Sequence, residues 1–352
     1  MKHFLLFLLL TCGFQAFAQG VDALHDAIRK RDIPQIQALI AEGVDVNGKG
    51  TSHHTAFTLN LDEFVQASRF HGNRRIINSG GVVSDDDLAK QEATAQQTLE
   101  IAKLLLAAGA DPNAKDGQGG TTLLWSTFYK NADITKLLID AGADIHALGY
   151  NDRTALMWAA TLGNNEAVKH LVAAGADVNV LSELVKLSAL WLAAEHEGDA
   201  ETMQILLNAG ADINAAYLGV TVLMRAVHFG KTESVKLLLA AGADVNIKSD
   251  HGSTALMNAL AKYDEVGGQP EIVKLLIDAG ADINYKGDKG ETGLIWYVHK
   301  GNIEIIKLLL DAGADINVKN DEGKTARDYA LEKNAADILA LLDAATDPED
   351  LP

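Results

Sequence analysis

The sequence predicts an all-α solenoid of about nine helix-turn-helix units with β-hairpin fingers between them. Three observations predict it. A Gly-x-Asp-x-Asn/His element recurs with its Asp at 45, 111, 144, 177, 212, 244, 282 and 315, at spacings of 66, 33, 33, 35, 32, 38 and 33. An apolar run at helical spacing precedes most copies, as in Ile134-Thr135-Lys136-Leu137-Leu138-Ile139 and Val235-Lys236-Leu237-Leu238-Leu239. A second short element stands upstream of that run: Thr154-Ala155-Leu156-Met157, Thr221-Val222-Leu223-Met224, Thr254-Ala255-Leu256-Met257 or Thr292-Gly293-Leu294-Ile295. Self-similarity at such a period marks stacked repeats rather than one globular core.

Each part of the unit has a physical reason. The Leu, Ile and Val stripe cannot be buried by one unit alone, so neighbours must stack to cover it. Gly142, Gly175 and Gly242 follow the second helix, where a left-handed cap favours a residue without Cβ. Asp and Asn suit the turn that follows, because their short side chains hydrogen-bond nearby backbone. Thr at the start of the next unit is placed to cap its first helix.

The unit resembles the ankyrin repeat, with Thr-Ala-Leu-Met where that family has Thr-Pro-Leu-His, and with a Gly-Ala-Asp-x-Asn hairpin. The resemblance covers about Val21 to Leu342. The proline of the family motif is missing throughout, at a site that tolerates small residues. The resemblance implies a non-catalytic protein-binding scaffold. It also implies that the residue after the His equivalent points into a concave groove. Trp125, Trp158, Leu192, Arg225, Asn258 and Trp296 hold that position, and three residues on come Phe128, Thr161, Glu195, His228, Ala261 and His299. Three of the four Trp fall there. Trp combines a large apolar area with one polar handle, which suits it to binding hot spots. The expected contacts are therefore Trp125, Phe128, Trp158, Arg225, His228, Trp296 and His299. The alternative is packing between neighbouring inner helices and hairpins. Trp191 falls one place earlier, at a core position.

The segments follow in order. Residues 1–18 read as a secretory signal: Lys2, an apolar run from Phe4 to Leu10, and Ala16-Phe17-Ala18 before a cleavage at Gln19. The run is too short to span a bilayer, and Thr11 before Cys12 argues against lipidation. Residues 19–47 form an incomplete N-terminal cap. Residues 48–113 hold one repeat with a helical-hairpin insertion at about 62–94. Arg69, His71, Arg74 and Arg75 make a basic cluster in that insertion. It is either a solvated face paired with Asp85–Asp87, or a contact for an anionic partner or one specific protein. Six repeats occupy 114–317, and the loop Asp264–Pro270 lengthens one of them, an insertion that loops accept cheaply. Residues 318–343 form a C-terminal cap whose Arg327, Asp328, Glu332 and Lys333 suit a solvent-facing end. An acidic tail occupies 344–352.

Composition narrows the function. The 352 residues carry 48 Asp+Glu against 30 Lys+Arg, a net charge of −18, with 48% hydrophobic residues. Such a chain has apolar material for a large core and is a poor match for a phosphate backbone. Loss of the signal would remove Lys2 and the single Cys, Cys12, leaving −19 and no thiol chemistry. Gly323-Lys324-Thr325 lacks the earlier Gly of a phosphate-binding loop. Asp111, Asn113 and Asp116 lack the spacing and closing Glu of a calcium loop. His228 and His299 sit two units apart, too far to share a metal, and His53-His54 has no evident further ligands. No strand–elbow–helix context supports a catalytic triad. The expectation is no enzyme, no cofactor and no metal. It is a monomer in the periplasm or secreted, binding a protein partner that its charge predicts to be basic. It would scaffold or chaperone a periplasmic enzyme, or neutralise a toxin. The alternative is a secreted effector acting on a host protein.

Overall fold

A computed structural model describes residues 19–49, 54–62, 85–117, 119–128, 131–182, 186–195, 200–261 and 269–345. The expected signal segment, the cluster Arg69, His71, Arg74 and Arg75, most of the loop after Asp264 and the end of the acidic tail lie outside these residues. The described residues are helical with almost no strand, and they divide into two compact units between Leu184 and Val185.

In the first unit, a helical segment over 19–30 is followed by Ile33–Ala41, and a segment over 56–62 precedes the long helix Asp85–Ala107. That helix runs unbroken for 23 residues. It joins the part of the insertion that begins at Asp85 to the second helix of its repeat. Two side chains tie it down: Asn60 Nδ2 donates to Thr98 O at 3.0 Å, and Arg31 Nη1 donates to Thr98 Oγ1 at 2.8 Å. Helix pairs Thr122–Phe128 with Ala132–Asp140, and Ala155–Thr161 with Asn165–Ala173, complete the unit.

The second unit continues the pattern with Ala189–Ala193 and Ala200–Asn208, Val222–His228 and Thr232–Ala240, and Ala255–Ala261 and Pro270–Asp278. Gly293–Lys300 with Ile303–Asp311, and Ala326–Glu332 with Ala336–Ala344, follow. Within each unit, first helices rest on first helices and second helices on second helices of the next pair. Both helices of each pair supply the core. Ile134 and Leu138, Val235 and Leu238, and Ile306 and Leu309 are fully buried, each pair on one helical face.

The ends of the helices are set locally. Oγ1 of Thr154, Thr221 and Thr292 accepts from the backbone N–H three residues on, as the sequence predicts. Thr325 forms a full capping box with Asp328. Asn131, Asn164 and Asn302 cap second helices in the same way. Each cap contributes about 1 kcal/mol. Gly142 and Gly242 leave the second helices at φ +85° and +90°, a region that disfavours any Cβ.

Regular strand is sparse at the tips. Among the described residues, Ala216–Tyr217 pairs antiparallel with Val220–Thr221, and Lys115 makes an isolated bridge with Thr121. Other tips close through a few backbone bonds, such as Ser249 N–H to Ser253 O at 2.9 Å or Gly287 N–H to Glu291 O at 2.9 Å. Arms this short close a turn without extending a ladder.

Candidate functional site

The first unit brings three of the expected residues into one row. Trp125 and Trp158 lie on successive first helices, and Phe128 stands between them. Its ring meets Trp125 edge-on at 5.9 Å and 79°, and Trp158 at 5.2 Å and 70°. Such contacts add about 0.5–1.5 kcal/mol each beyond area burial. Trp125 Nε1 donates to Asp116 Oδ2 at 2.7 Å, while Asp116 Oδ1 accepts from Gly120 N at 2.9 Å. Both oxygens of Asp116 thus hold the neighbouring loop and indole, a structural use of the carboxylate. The Arg153 guanidinium sits 5.0 Å over the Trp158 ring. All three aromatic rings remain half-buried.

Arg225 behaves differently. It lies 4.7 Å over Trp191 and 4.5 Å over Phe229, and its Nη2 donates to Glu195 Oε1. Trp191 is 5% exposed, donates through Nε1 to Val220 O at 3.0 Å, and meets Tyr217 edge-on. The guanidinium is therefore committed to its own unit: two aromatic faces and one carboxylate already engage it. Next to it, His228 is exposed and packs edge-on against Phe229 at 5.2 Å.

Trp296 stands on a later first helix and is 37% exposed, with Lys300 Nζ 5.0 Å from its ring centre. His299 packs edge-on on Tyr329 at 5.4 Å, and its backbone carbonyl accepts from Lys333 Nζ. Trp296 forms one wall of a cleft of about 490 Å³ that Met257, Leu260 and Tyr285 also line. The helix Ala255–Ala261 separates this cluster from that of Arg225. The expected contacts thus form separate clusters: an aromatic row in the first unit, and an ion-paired sandwich and an open cleft in the second. Among the described residues, no group of three or more His, Cys, Asp or Glu is placed to hold a metal ion, and no helix is long and apolar enough to cross a membrane.

Sequence reasoning missed the residues that organise these clusters: Asp116, Arg153, Tyr217, Phe229, Tyr285 and Lys300. Lys300 was reachable, since it lies four residues after Trp296 on one helix face. Phe229 stands at the same spacing from Arg225, at the end of its helix, whereas Asp116, Arg153, Tyr217 and Tyr285 come from the segments between helices.

The family model described as ankyrin repeats (3 copies) matches residues 91–182, 190–287 and 264–350. The chain belongs to the ankyrin repeat family. The crystal structure of an ankyrin repeat domain from Acinetobacter baumannii AYE is similar to it at 32% identity and a TM-score of 0.50, over 55% of this chain and 98% of that one. No curated protein matches the chain. In all, 491 chains of solved structures match, so likeness of fold separates few functions here. Ankyrin repeats are in general protein–protein interaction modules, and typically non-catalytic ones.

Proposed function

We propose that this ankyrin repeat chain recognises a protein partner outside the cytoplasm, without catalysis, through the face formed by its first helices. The repeats would number nine, with hairpin tips as fingers beside a concave groove. The observation that carries the reading is the row Trp125, Phe128 and Trp158. Three large rings on successive first helices stay half-buried while holding each other edge to edge. Such a surface is ordered before a partner arrives, so binding costs little further side-chain entropy. In the second unit, Trp296, His228 and His299 offer contacts of their own, and Arg225 is held by Trp191, Phe229 and Glu195. The amino-terminal pattern of Lys2, the Phe4–Leu10 run and Ala16-Phe17-Ala18 supports export, with cleavage before Gln19 and residence in a periplasm.

The test is a pull-down from a periplasmic extract of the source organism with residues 19–352. A Trp125→Ala/Trp158→Ala/Trp296→Ala variant with unchanged helical circular dichroism and cooperative unfolding runs beside it. A partner held by the parent and lost by the variant supports the reading, and its identity tells an enzyme scaffold from a toxin neutraliser. Equal capture by both forms would refute the aromatic surface.

A further inference from the structure

Among the described residues that line the cleft beside Trp296, lysines outnumber carboxylates, in a chain whose net charge is negative. Its apolar walls are Met257, Leu260, Tyr285 and Trp296. Among the described residues, Lys286 and Lys289 line it beside the carboxylate Glu291, and Lys286 Nζ also donates to Lys319 O at 2.9 Å. Two more lysines cover the flanking rings: Lys248 Nζ lies 4.2 Å from the Tyr285 ring centre, and Lys300 Nζ 5.0 Å from that of Trp296. The nearby Asp321 donates its backbone N–H to Lys289 O at 2.9 Å, and its carboxylate lies against Gly290. Asp250 lies against Gly219. Among the described residues, four lysines thus flank the cleft, with Glu291, Asp250 and Asp321 the carboxylates near them, in a chain of net charge −18.

Many of the chain's other carboxylates serve turns and helices. Asp212, Asp244, Asp282 and Asp315 each accept from the backbone N–H two residues on, inside their turns. Others pair along second helices, as Asp278 does with Lys274. The cleft has also been kept open. A Cβ at Gly287 would lie 1.9 Å from Met257 Cε, and one at Gly293 would lie 2.6 Å from Leu260 Cδ1. Side chains at those positions would collide with both apolar walls. The volume lies within the ~300–1,000 Å³ usual for a ligand site.

From this we infer that the cleft takes an acidic peptide segment of the partner, with one large apolar side chain seated between Tyr285 and Trp296 and carboxylates reaching the lysines. The inference rests on the reading of the first-helix face as a protein-binding surface, and it specifies the sign of the segment bound there. Net charge acts at long range and is screened within about 8 Å at physiological salt, so at contact the local lysines prevail. A partner that is basic overall can present such a segment.

The test uses the whole chain from Gln19 and fluorescein-labelled synthetic peptides read by anisotropy. One peptide, of about ten residues, combines Asp and Glu with a central Phe; a second has Lys for every acid; a third has Ala for the Phe. The first peptide should bind, with affinity falling as salt rises. Lys286→Glu/Lys289→Glu should weaken it at least about tenfold, as should Trp296→Ala and loss of the Phe. Should the charge-reversed chain lose its cooperative unfolding, Lys286→Gln/Lys289→Gln serves in its place, with a smaller loss expected. Tighter binding of the Lys peptide, abolished by Trp296→Ala, would overturn the acidic segment and leave the first-helix surface standing. Binding of the acidic peptide that neither variant alters would place it elsewhere on the chain and overturn the inference. Absence of binding to either peptide at millimolar concentration would overturn it too, while the pull-down judges the surface as a whole.

Discussion

Asn246 grips the turn of the following repeat with both ends of its amide: Nδ2 donates to Gly280 O at 3.0 Å, and Oδ1 accepts from Asp282 N at 2.8 Å. The same acceptor role links Asn47 to Asp111, Asn113 to Asp144, Asn214 to Asp244 and Asn284 to Asp315. The Asn of the repeated motif is thus a rung between turns, and the Asp two residues before it is the lock within a turn. Asn246→Ala is expected to cost about 1–2 kcal/mol, since two exposed hydrogen bonds are lost together. Urea unfolding with an unchanged slope checks this, and a loss near zero would show that water replaces the rung.

Arg225 and Glu195 form an ion pair whose side chains are only 23% and 19% exposed. Arg225→Ala removes the guanidinium from Glu195, Trp191 and Phe229 at once, and should destabilise the second unit by about 2–3 kcal/mol. Glu195→Gln should cost less, because an amide oxygen still accepts from the guanidinium. A double-mutant cycle measured by thermal unfolding should give a coupling of roughly 1 kcal/mol or more. Additive single losses would show that the stacking on Trp191 and Phe229, rather than the pair, holds the arginine.

His25 is 1% exposed, and neither ring nitrogen has a hydrogen-bond partner. Burial, with help from Arg29 and His54 and against Asp22 and Asp26, holds its pKa below the usual histidine value of 6.5. The folded chain therefore keeps His25 neutral where the unfolded chain would protonate it. Its stability is complete above about pH 6.5 and falls as the pH drops toward the lowered folded value. His25→Phe should flatten that part of the pH profile of thermal unfolding relative to the parent. A parallel profile in the variant would assign the acid sensitivity to other groups.

Tyr297 is 2% exposed and donates its hydroxyl proton to Leu260 O. Burial pushes its pKa up to about 12 from the usual 10.0. The neutral phenol is favoured by folding, so its contribution is full below pH 10 and is lost as the pH rises toward 12. Tyr297→Phe should cost about 1 kcal/mol at neutral pH by leaving the Leu260 carbonyl without that donor, and should soften the alkaline loss of stability. Absorbance titration of the phenolates reads the same group directly: one tyrosine fewer should ionise at the alkaline end in the variant.

Local chemistry made the repeat readable. A Thr cap acts on an N–H three residues on, an Asp lock on one two residues on, and a left-handed Gly on the turn it ends, so each leaves a mark at fixed spacing. The period of the apolar stripe then implied stacking, because one helix pair cannot cover its own Leu and Ile. Positions such as Trp125 and Trp296 could be named in the same way, since their place in the repeat follows from the motif. What those residues do depended on partners a repeat away. Arg225 was an exposed-looking cation in the sequence and is a stacked, ion-paired one in the fold. Trp191, Glu195 and Val220 reach it or its neighbours only when adjacent helix pairs meet. The lysines around Trp296 come from two different loops and a helix end, scattered through a chain whose total charge has the other sign. Total charge is a sum over residues, whereas the field in a cleft depends on which side chains stacking brings within a few ångströms of it.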